Sequence, residues 1–414
     1  MDANDVLALG LGVRPPWKLV GQRLDRDEQP NELHLEVAAE RGALFACPDC
    51  GRLCKAHDFA EFTWRHLNFF QHHCTITAKV PRTNCPEHGV KRIQVPWARE
   101  GSRFTLLFEQ AAITLVREMP VLAAARIMEI TDQRLWRIVE HYVTQAMARL
   151  DLGRLKALGL DETAAKRGHN YVTVFIDLDA KTKPVVFAIP GKGKATVAAF
   201  KMFLEDHGGK AERIVEVVCD MSPAFLAAVG ESFKNAEVTV DWFHVVQLFT
   251  KAVDDVRKAE AKQTRMPKAL RWAVLKAADR RLTDKQAHAL AELQATDLFT
   301  ATAWRIKEKL RWIRKAQSVQ AARWRITAFI RHARDGLAEE AILEPVRKAL
   351  ETFEKHLEPI LQRWTSTHNN ARIEGLNSLF QAARARARGY RNTATFITMI
   401  YLIAAPIQNL LNSI

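Results

Sequence analysis

The spacing of hydrophobic positions changes several times along this 414-residue chain. In the first hundred residues, "LHLEV" (33–37) and "HCTITAKV" (73–80) alternate with a period of two. That is the mark of half-buried strands, and the region reads as short strands and turns. From Phe104 to about Leu150 the period becomes helical. "FTLLFEQAAITLVREM" stops at Pro120, "VLAAARIMEI" follows, and "QRLWRIVEHYVTQAMARL" comes after a "TD" break. Three helices with a tight break before the last predict a helix-turn-helix. A plain three-helix linker has the same pattern.

From Leu158 onward, "LGLDETAA", "YVTVFIDLD" and "PVVFAIP" predict three strands. The helix "KATVAAFKMFLEDHG", the strand "RIVEVVCD", the helix "SPAFLAAVGESF" and the strand "EVTVDWFHV" follow. That order predicts a mixed α/β sheet. Between about Val246 and Trp364 only helical periodicity is present, rich in Lys, Arg and Trp. The apolar run "FITMIYLIAAP" stops at Pro406, well short of the ~20 residues that span a bilayer, and predicts a buried helix. The fold class is therefore multidomain α/β.

Charge narrows the function. The hydrophobic fraction of 48% is enough for real cores, while the formal net charge of +14 calls for a polyanionic partner. Nucleic acid comes first; no membrane association is expected. The N-terminal "MDANDVLALGLGVRPPWK" lacks the basic start and the cleavage site of a signal peptide. Cysteines number six, five of them before residue 90, which suits a local metal site in a reducing cytoplasm better than a disulfide scaffold.

"CPDC" offers Cys47 and Cys50, and "CPEH" offers Cys85 and His88. Two ligand pairs, each spaced by two residues and each followed by glycine, predict a four-coordinate structural Zn²⁺ site; ordinary buried cysteines without a metal are the alternative. A small β module with little core would draw most of its stability from that metal. Cys54 and Cys74 are left over as packing residues, although Cys54 or one of His57, His66, His72 and His73 could replace one of the four.

In the third predicted helix, Leu135, Ile138, Val139 and Val143 share one face. Gln133, Arg134 and Arg137 share the other, free to meet a DNA groove. Three acids stand out further on. Asp161 lies in the first strand of the α/β region, Asp220 ends the fourth, and Glu374 opens the helix in "NNARIEGLNSLFQAARARARGYRN". An acid at the end of a buried strand needs a partner or a metal, and two side by side are relieved by a divalent cation. Taken singly, each acid suits a cap or an ion pair, and Glu162, Asp177, Asp179 and Asp241 are rivals. At helical spacing Asn370, Glu374, Asn377 and Gln381 form a polar face. Ile373, Leu376, Phe380 and Ala383 form the opposite, core-facing stripe. Arg384, Arg386, Arg388 and Arg391 follow as phosphate contacts.

The succession "LGLDET", "VVCDMSPAF", "DWFHVVQL", a long helical stretch and then "NNARIEGLNSLFQAARARARGYRN" resembles the DDE transposases of bacterial insertion sequences, specifically the ISL-three family. The "CPDC…CPEHG" module and the helix-turn-helix are similar to that family's N-terminal region, so the likeness covers nearly the whole chain. The resemblance implies a ribonuclease-H-like core interrupted by an all-helical insertion, with Asp161, Asp220 and Glu374 as the catalytic triad. By the same analogy "DWFHVV" lies on the fifth strand and a further strand leads into the insertion. Expected domains are a zinc-binding module (1–100), a helix-turn-helix (101–152), the core's first part (153–250), the insertion (251–364) and the core's C-terminal part (365–414).

The implied activity is Mg²⁺- or Mn²⁺-dependent cleavage and joining of double-stranded DNA, both transposon ends and target. The implied agent is a homodimer or larger assembly in the bacterial cytoplasm at the nucleoid. In the insertion, Arg305, Lys307, Lys309, Arg311, Arg314 and Lys315 would track phosphates. Trp304 and Trp312 among them either pack in a core, the commoner role, or stack on an unpaired base. Two rivals stand beside this reading. One is a catalytically silent DNA-binding protein derived from a transposase; the other is a metal-dependent nuclease without strand transfer.

Overall fold

The computed structural model describes residues 8, 11–27, 30–166, 168, 170–276, 281–337, 339–368 and 371–407. Asn370, assigned above to the polar face around Glu374, lies outside the described residues. The chain divides into two compact units, one reaching Met147 and including Ile407, the other Ala148–Pro406.

Among the described residues, six strands build the first unit's sheet: β1 (Trp17–Asp25), β2 (Glu32–Ala39), β3 (Leu44–Ala46), β4 (Leu53–Phe69), β5 (His72–Cys85) and β6 (Gly89–Arg92). They run in the order β1-β2-β5-β4-β3, and β6 pairs with β5. The expectation of short strands needs correction, since β4 has 17 residues and β5 has 14. No glycine interrupts either strand, and polar residues on the exposed face of β4 hide the apolar alternation. The expectation of little core also fails. Trp97 packs edge-on against Trp17 and Trp64, with ring centroids 5.0 and 5.7 Å away, and Leu35, Val37, Ile76 and Val80 are buried with them.

Three helices follow, α1 (Leu106–Glu118), α2 (Val121–Ile127) and α3 (Asp132–Ala148). Thr105 caps α1 by accepting from the Phe108 N–H, and Pro120 separates α1 from α2. The fully buried Glu109 accepts bonds from Arg99, Ser102 and Tyr142, which ties α1 to α3. Burial and that carboxylate push the Tyr142 hydroxyl far above its usual range.

In the second unit, β7 (Ala157–Lys166), β8 (Asn170–Asp177), β9 (Val185–Pro190), β10 (Glu216–Cys219) and β11 (Glu237–Val240) form one sheet. Its order is β11-β10-β7-β8-β9. β10 lies parallel to both β7 and β11, whereas β8 is antiparallel to β7 and β9. Side chains alternate between two cores. Phe175 joins Leu158, Leu160 and Val217 under α4 (Lys194–Asp206) and α5 (Pro223–Ser232). Val172, Val174 and Ile176 meet Ile373, Phe380, Phe396 and Ile400 of α13 (Ala371–Arg386) and α14 (Thr393–Ala404) on the other face. Gly159 is needed there, because a Cβ would come within 2.8 Å of Ile176 Cγ1.

Between β11 and α13 lie α6 (Trp242–Glu260), α7 (Lys268–Leu275), α8 (Asp284–Gln294), α9 (Phe299–Arg314), α10 (Val319–Asp335), α11 (Glu344–Lys355) and α12 (Leu357–Leu361). They share a core around Phe249, Phe329 and Phe353. Here "DWFHV" departs from the expected strand. β11 stops at Val240, Asp241 caps α6 by accepting from the Phe243 N–H at 3.2 Å, and the chain continues as helix rather than strand. Trp242, Val245, Phe249, Val253 and Val256 are buried at helical spacing, and that longer period overrides the short β-like run. The expected boundary at 250 therefore falls inside α6. Among the described residues no helix is long and apolar enough to cross a membrane.

Candidate metal centres and DNA-facing residues

The β3–β4 turn presents Cys47 and Cys50, and the β5–β6 turn presents Cys85 and His88. Gly51 and Gly89 follow with φ of 72° and 68°, a left-handed backbone that side chains resist. The ligand atoms of all four residues lie within 4.8 Å of one another. Cys50 Sγ is 3.7 Å from Cys85 Sγ, and His88 Nδ1 is 3.6 Å from Cys85 Sγ and 3.9 Å from Cys47 Sγ. Ligands on a tetrahedron with Zn–S near ~2.3 Å stand roughly 3.5–3.8 Å apart, so this donor set fits zinc. The Glu87 backbone N–H, then His88, bring the Cys85 thiol down to about 6, ready to ligate as thiolate. Cys54 is buried beside Cys47 and Cys85 but outside the four-atom group. Cys74 sits in the sheet core, where burial pushes its thiol up to about 11. His66 bonds Thr105, and His73 pairs with Glu129.

On α3, Leu135, Ile138, Val139 and Val143 are buried, while Gln133, Arg134 and Arg137 are exposed on the opposite face. A helix with an apolar back and a polar front is free to lie in a groove.

In the second unit, Asp161 sits on the central strand and Asp220 directly follows the parallel neighbour β10, whose Val218 pairs with Gly159. Asp161 Oδ1 accepts from the Glu162 N–H and Asp220 Oδ1 from the Ser222 N–H, both at 2.8 Å. Helix α13 lays its polar face along β7. Asn377 donates to Asp161 Oδ2 at 2.9 Å, Gln381 to Thr163 and Ala164, and Arg384 to the Ala164 carbonyl at 2.7 Å. Glu374 stands one turn before Asn377 and meets Asp241. Burial, then Asp241 and Asp161, push the Glu374 carboxyl up to about 7. Burial likewise raises Asp161, with Asp220 and Asp241 adding to the rise against the Glu162 N–H and His244. Crowded carboxylates of this kind favour protons or a cation.

Asp241, which the sequence offers only as one rival acid among four, stands in this cluster, and His244, which the sequence reading did not single out, stands beside it. Asp241 is only 9% exposed; its Oδ2 receives no N–H or hydroxyl donor among the described residues, and the Glu374 carboxyl lies against the same side chain. His244 Nε2 and Asn377 Oδ1 likewise have no hydrogen-bond partner among the described residues. Unpartnered buried oxygens beside crowded acids are a donor set that fits a hard divalent cation. The acids are not drawn into a closed cage. Among the described residues, only the Cys/His group has three or more ligand atoms all within 4.8 Å. The signal that could have found Asp241 was its place at the end of a β-branched run, the same context as Asp220.

Several cations proposed for phosphate contact have other tasks. Lys307 is buried and donates to the Val274 carbonyl at 2.8 Å. Arg305 donates to Gln294 and Thr296 carbonyls, and Arg384 is engaged with β7. Exposed are Lys309, Arg311, Arg314 and Lys315 in the insertion, Arg386 at the end of α13, and Arg388 and Arg391 after it. Trp304 packs against the insertion core, whereas Trp312 reaches solvent.

His368, just before α13, bridges Glu216 Oε2 at 2.8 Å and Asp179 Oδ1 at 3.1 Å. Burial disfavours its imidazolium, but the two carboxylates more than offset that and raise its pKa. Ser366 also bonds Glu216, so the segment leading to Glu374 is pinned to β10.

A Cys/His turn pair, a three-helix region and a carboxylate-edged sheet occur in that order, and the comparisons follow the same order. A family described as the zinc-finger of transposase IS204/IS1001/IS1096/IS1165 matches residues 43–88. The helix-turn-helix domain of transposase family ISL3 matches 93–143, and the ISL3 transposase domain matches 158–400. With more than half of its length in that last match, the chain belongs to the ISL3 family of insertion-sequence transposases. It is 26% identical over 401 residues to the transposase for insertion sequence element IS1001 of Bordetella parapertussis, covering 93% of this chain and 95% of that one. Similarity to the transposase for insertion sequence element IS1557 of Mycobacterium tuberculosis is 29% identity over 309 residues, or 67% and 68% of the two chains.

Proposed function

We propose that this transposase binds the terminal inverted repeats of its own element and cuts and rejoins DNA there with Asp161, Asp220 and Glu374. What supports the reading is that Asp161 lies on the central strand, Asp220 ends the parallel strand beside it, and α13, whose Asn377 holds Asp161, carries Glu374 close enough for Asp241 and Asp161 to raise its carboxyl. A ribonuclease-H-like core is supported by the strand order. In chain order the sheet reads third, second, first, fourth, fifth, with the fourth strand parallel to the first and the fifth to the fourth.

Mg²⁺ or Mn²⁺ held by these acids would activate the attacking oxygen and stabilise the leaving one. The chain's own groups do the rest. Asn377 orients the Asp161 carboxylate, and the backbone N–H groups of Glu162 and Ser222 fix one oxygen each of Asp161 and Asp220. Water first displaces a 3′-hydroxyl from a phosphodiester at the element's end. That hydroxyl then attacks a target phosphodiester, so one such bond is exchanged for another and no energy cofactor is consumed. The Cys/His module and α3 would recognise the ends, and exposed cations of the insertion would follow the phosphates.

Work on two ends calls for a homodimer or larger assembly, acting on DNA in the bacterial cytoplasm at the nucleoid. The test is a strand-transfer assay on pre-nicked end duplexes with Mg²⁺. Joined products support the reading. Hydrolysis without joining would make the protein a nuclease, and neither activity would leave a DNA-binding protein alone.

A further inference from the structure

Helices α9 and α10 carry two tryptophans that the insertion core does not use. Trp324 is 65% exposed and Trp312 39% exposed. Their ring centroids lie 5.6 Å apart at 69°, and the Arg325 guanidinium sits 5.2 Å over the Trp312 ring while donating to the Trp312 carbonyl at 2.7 Å. The arginine covers part of Trp312 and stiffens the pair. An indole held in water by a rigid neighbour is an unusual use of a residue that normally buries most of its surface.

The charges around the pair differ from those elsewhere on these helices. Arg311, Arg323 and Arg334 are neutralised by Glu308, Glu358 and Glu354. Lys309 and Lys315 stand three residues either side of Trp312, and Arg331 stands two turns beyond Trp324. All three are exposed and form no ion pair among the described residues. An aromatic surface flanked by unneutralised cations is complementary to one kind of ligand in particular, a base carried on a phosphate backbone. A protein partner would favour a broader apolar patch, whereas here Gln320 and Thr327 flank Trp324 along its helix.

We propose that Trp312 and Trp324 form a stacking platform for an unpaired nucleobase, with Lys309, Lys315 and Arg331 holding the adjoining phosphates. The inference rests on the DNA-processing reading above. It adds a single-stranded ligand and a place for it, away from the carboxylates.

The test uses the full-length protein and two probes of equal length, a thymidine oligonucleotide and an abasic one that keeps the phosphates. The wild type should bind the thymidine strand more tightly, with quenching of tryptophan fluorescence. Trp312→Ala/Trp324→Ala should lose the quenching and roughly 5- to 150-fold of thymidine-strand affinity for each base stacked, leaving abasic-strand affinity unchanged. Trp324→Phe should keep most of it. Both indoles reach solvent, so circular dichroism should be unchanged. Equal preference for bases over abasic DNA in wild type and double variant would overturn the platform. So would a change in oligomeric state without a change in strand affinity, which would make the pair a protein contact. Failure of the platform leaves Mg²⁺-dependent cleavage of end duplexes intact, whereas failure of the DNA-processing reading abolishes that cleavage in the wild type itself.

Discussion

Replacing Cys85 by serine removes one corner of the Cys/His group and separates two sources of stability in the first unit. The donor atoms stand 3.6–3.9 Å apart along the contacts that involve Cys85 or His88, close to the edge of a zinc tetrahedron. Such a site stabilises its fold by an apparent ~10–16 kcal/mol, as much as a whole domain's net stability of about 5–15 kcal/mol. Apart from the metal, the two turns are joined by the exposed ion pairs Arg52–Glu87 and Lys91–Asp49, which contribute little, and Leu44 and Leu53 beside the first turn are exposed. The sheet behind them has its own core around Trp17, Trp64 and Trp97. Loss of zinc should therefore loosen the turns at 47–52 and 86–88 while the sheet persists. Metal analysis should fall from about one zinc per chain to none, and hydrogen exchange should quicken only in those two segments. Zinc missing from the wild type would refute the assignment. Loss of protection throughout β1, β2 and β5 would refute the claim of an independent core.

Arg134→Ala/Arg137→Ala should lower the preference for element ends over random DNA by about 10-fold or more, since base contacts contribute ~1–3 kcal/mol each. Equal weakening on both DNAs, measured by gel shift, would remove α3 from recognition. Asp241→Asn keeps a residue able to cap α6 but removes a charge beside the acids. Mg²⁺-dependent nicking should drop about 10–100-fold, as for partners that orient metal ligands, and an unchanged Mg²⁺ titration would place Asp241 outside the site. His368 has a raised folded pKa, so its bonds to Glu216 and Asp179 contribute fully below the ordinary value of ~6.5. That contribution is lost as pH rises through the raised value. Denaturant midpoints of the wild type should therefore decline over that window and those of His368→Gln should not; parallel curves would refute the linkage.

How much of this was legible depended on whether the signal was local. The Cys/His spacing, the apolar back of α3 and the stripe of Ile373 and Phe380 are set by residues a few positions apart, so periodicity exposed them. Asp241 was placed within a strand because Val238–Val240 is β-branched and the helix behind it shows only over the longer span to Val256. Lys307 read as a surface cation because nothing local shows that the Val274 carbonyl at the end of α7 would meet it. The three-tryptophan core of the first unit was invisible because Trp17, Trp64 and Trp97 come together only when the long hairpin folds.

The central claim is that Asp161, Asp220 and Glu374 hold the reacting metal, and one paired measurement addresses it most directly. Glu374→Gln keeps the shape of the side chain and removes its charge. Mg²⁺-dependent nicking of an end-containing duplex is measured beside a gel shift on the same DNA. The account expects nicking to collapse by several orders of magnitude with binding retained, because Gln133, Arg134, Arg137 and the exposed Arg386, Arg388 and Arg391 are untouched. Asp161→Asn and Asp220→Asn should behave alike. A Glu374→Gln protein that nicks at close to the wild-type rate would contradict the account and pass the role to another acid of the cluster, Asp241 first.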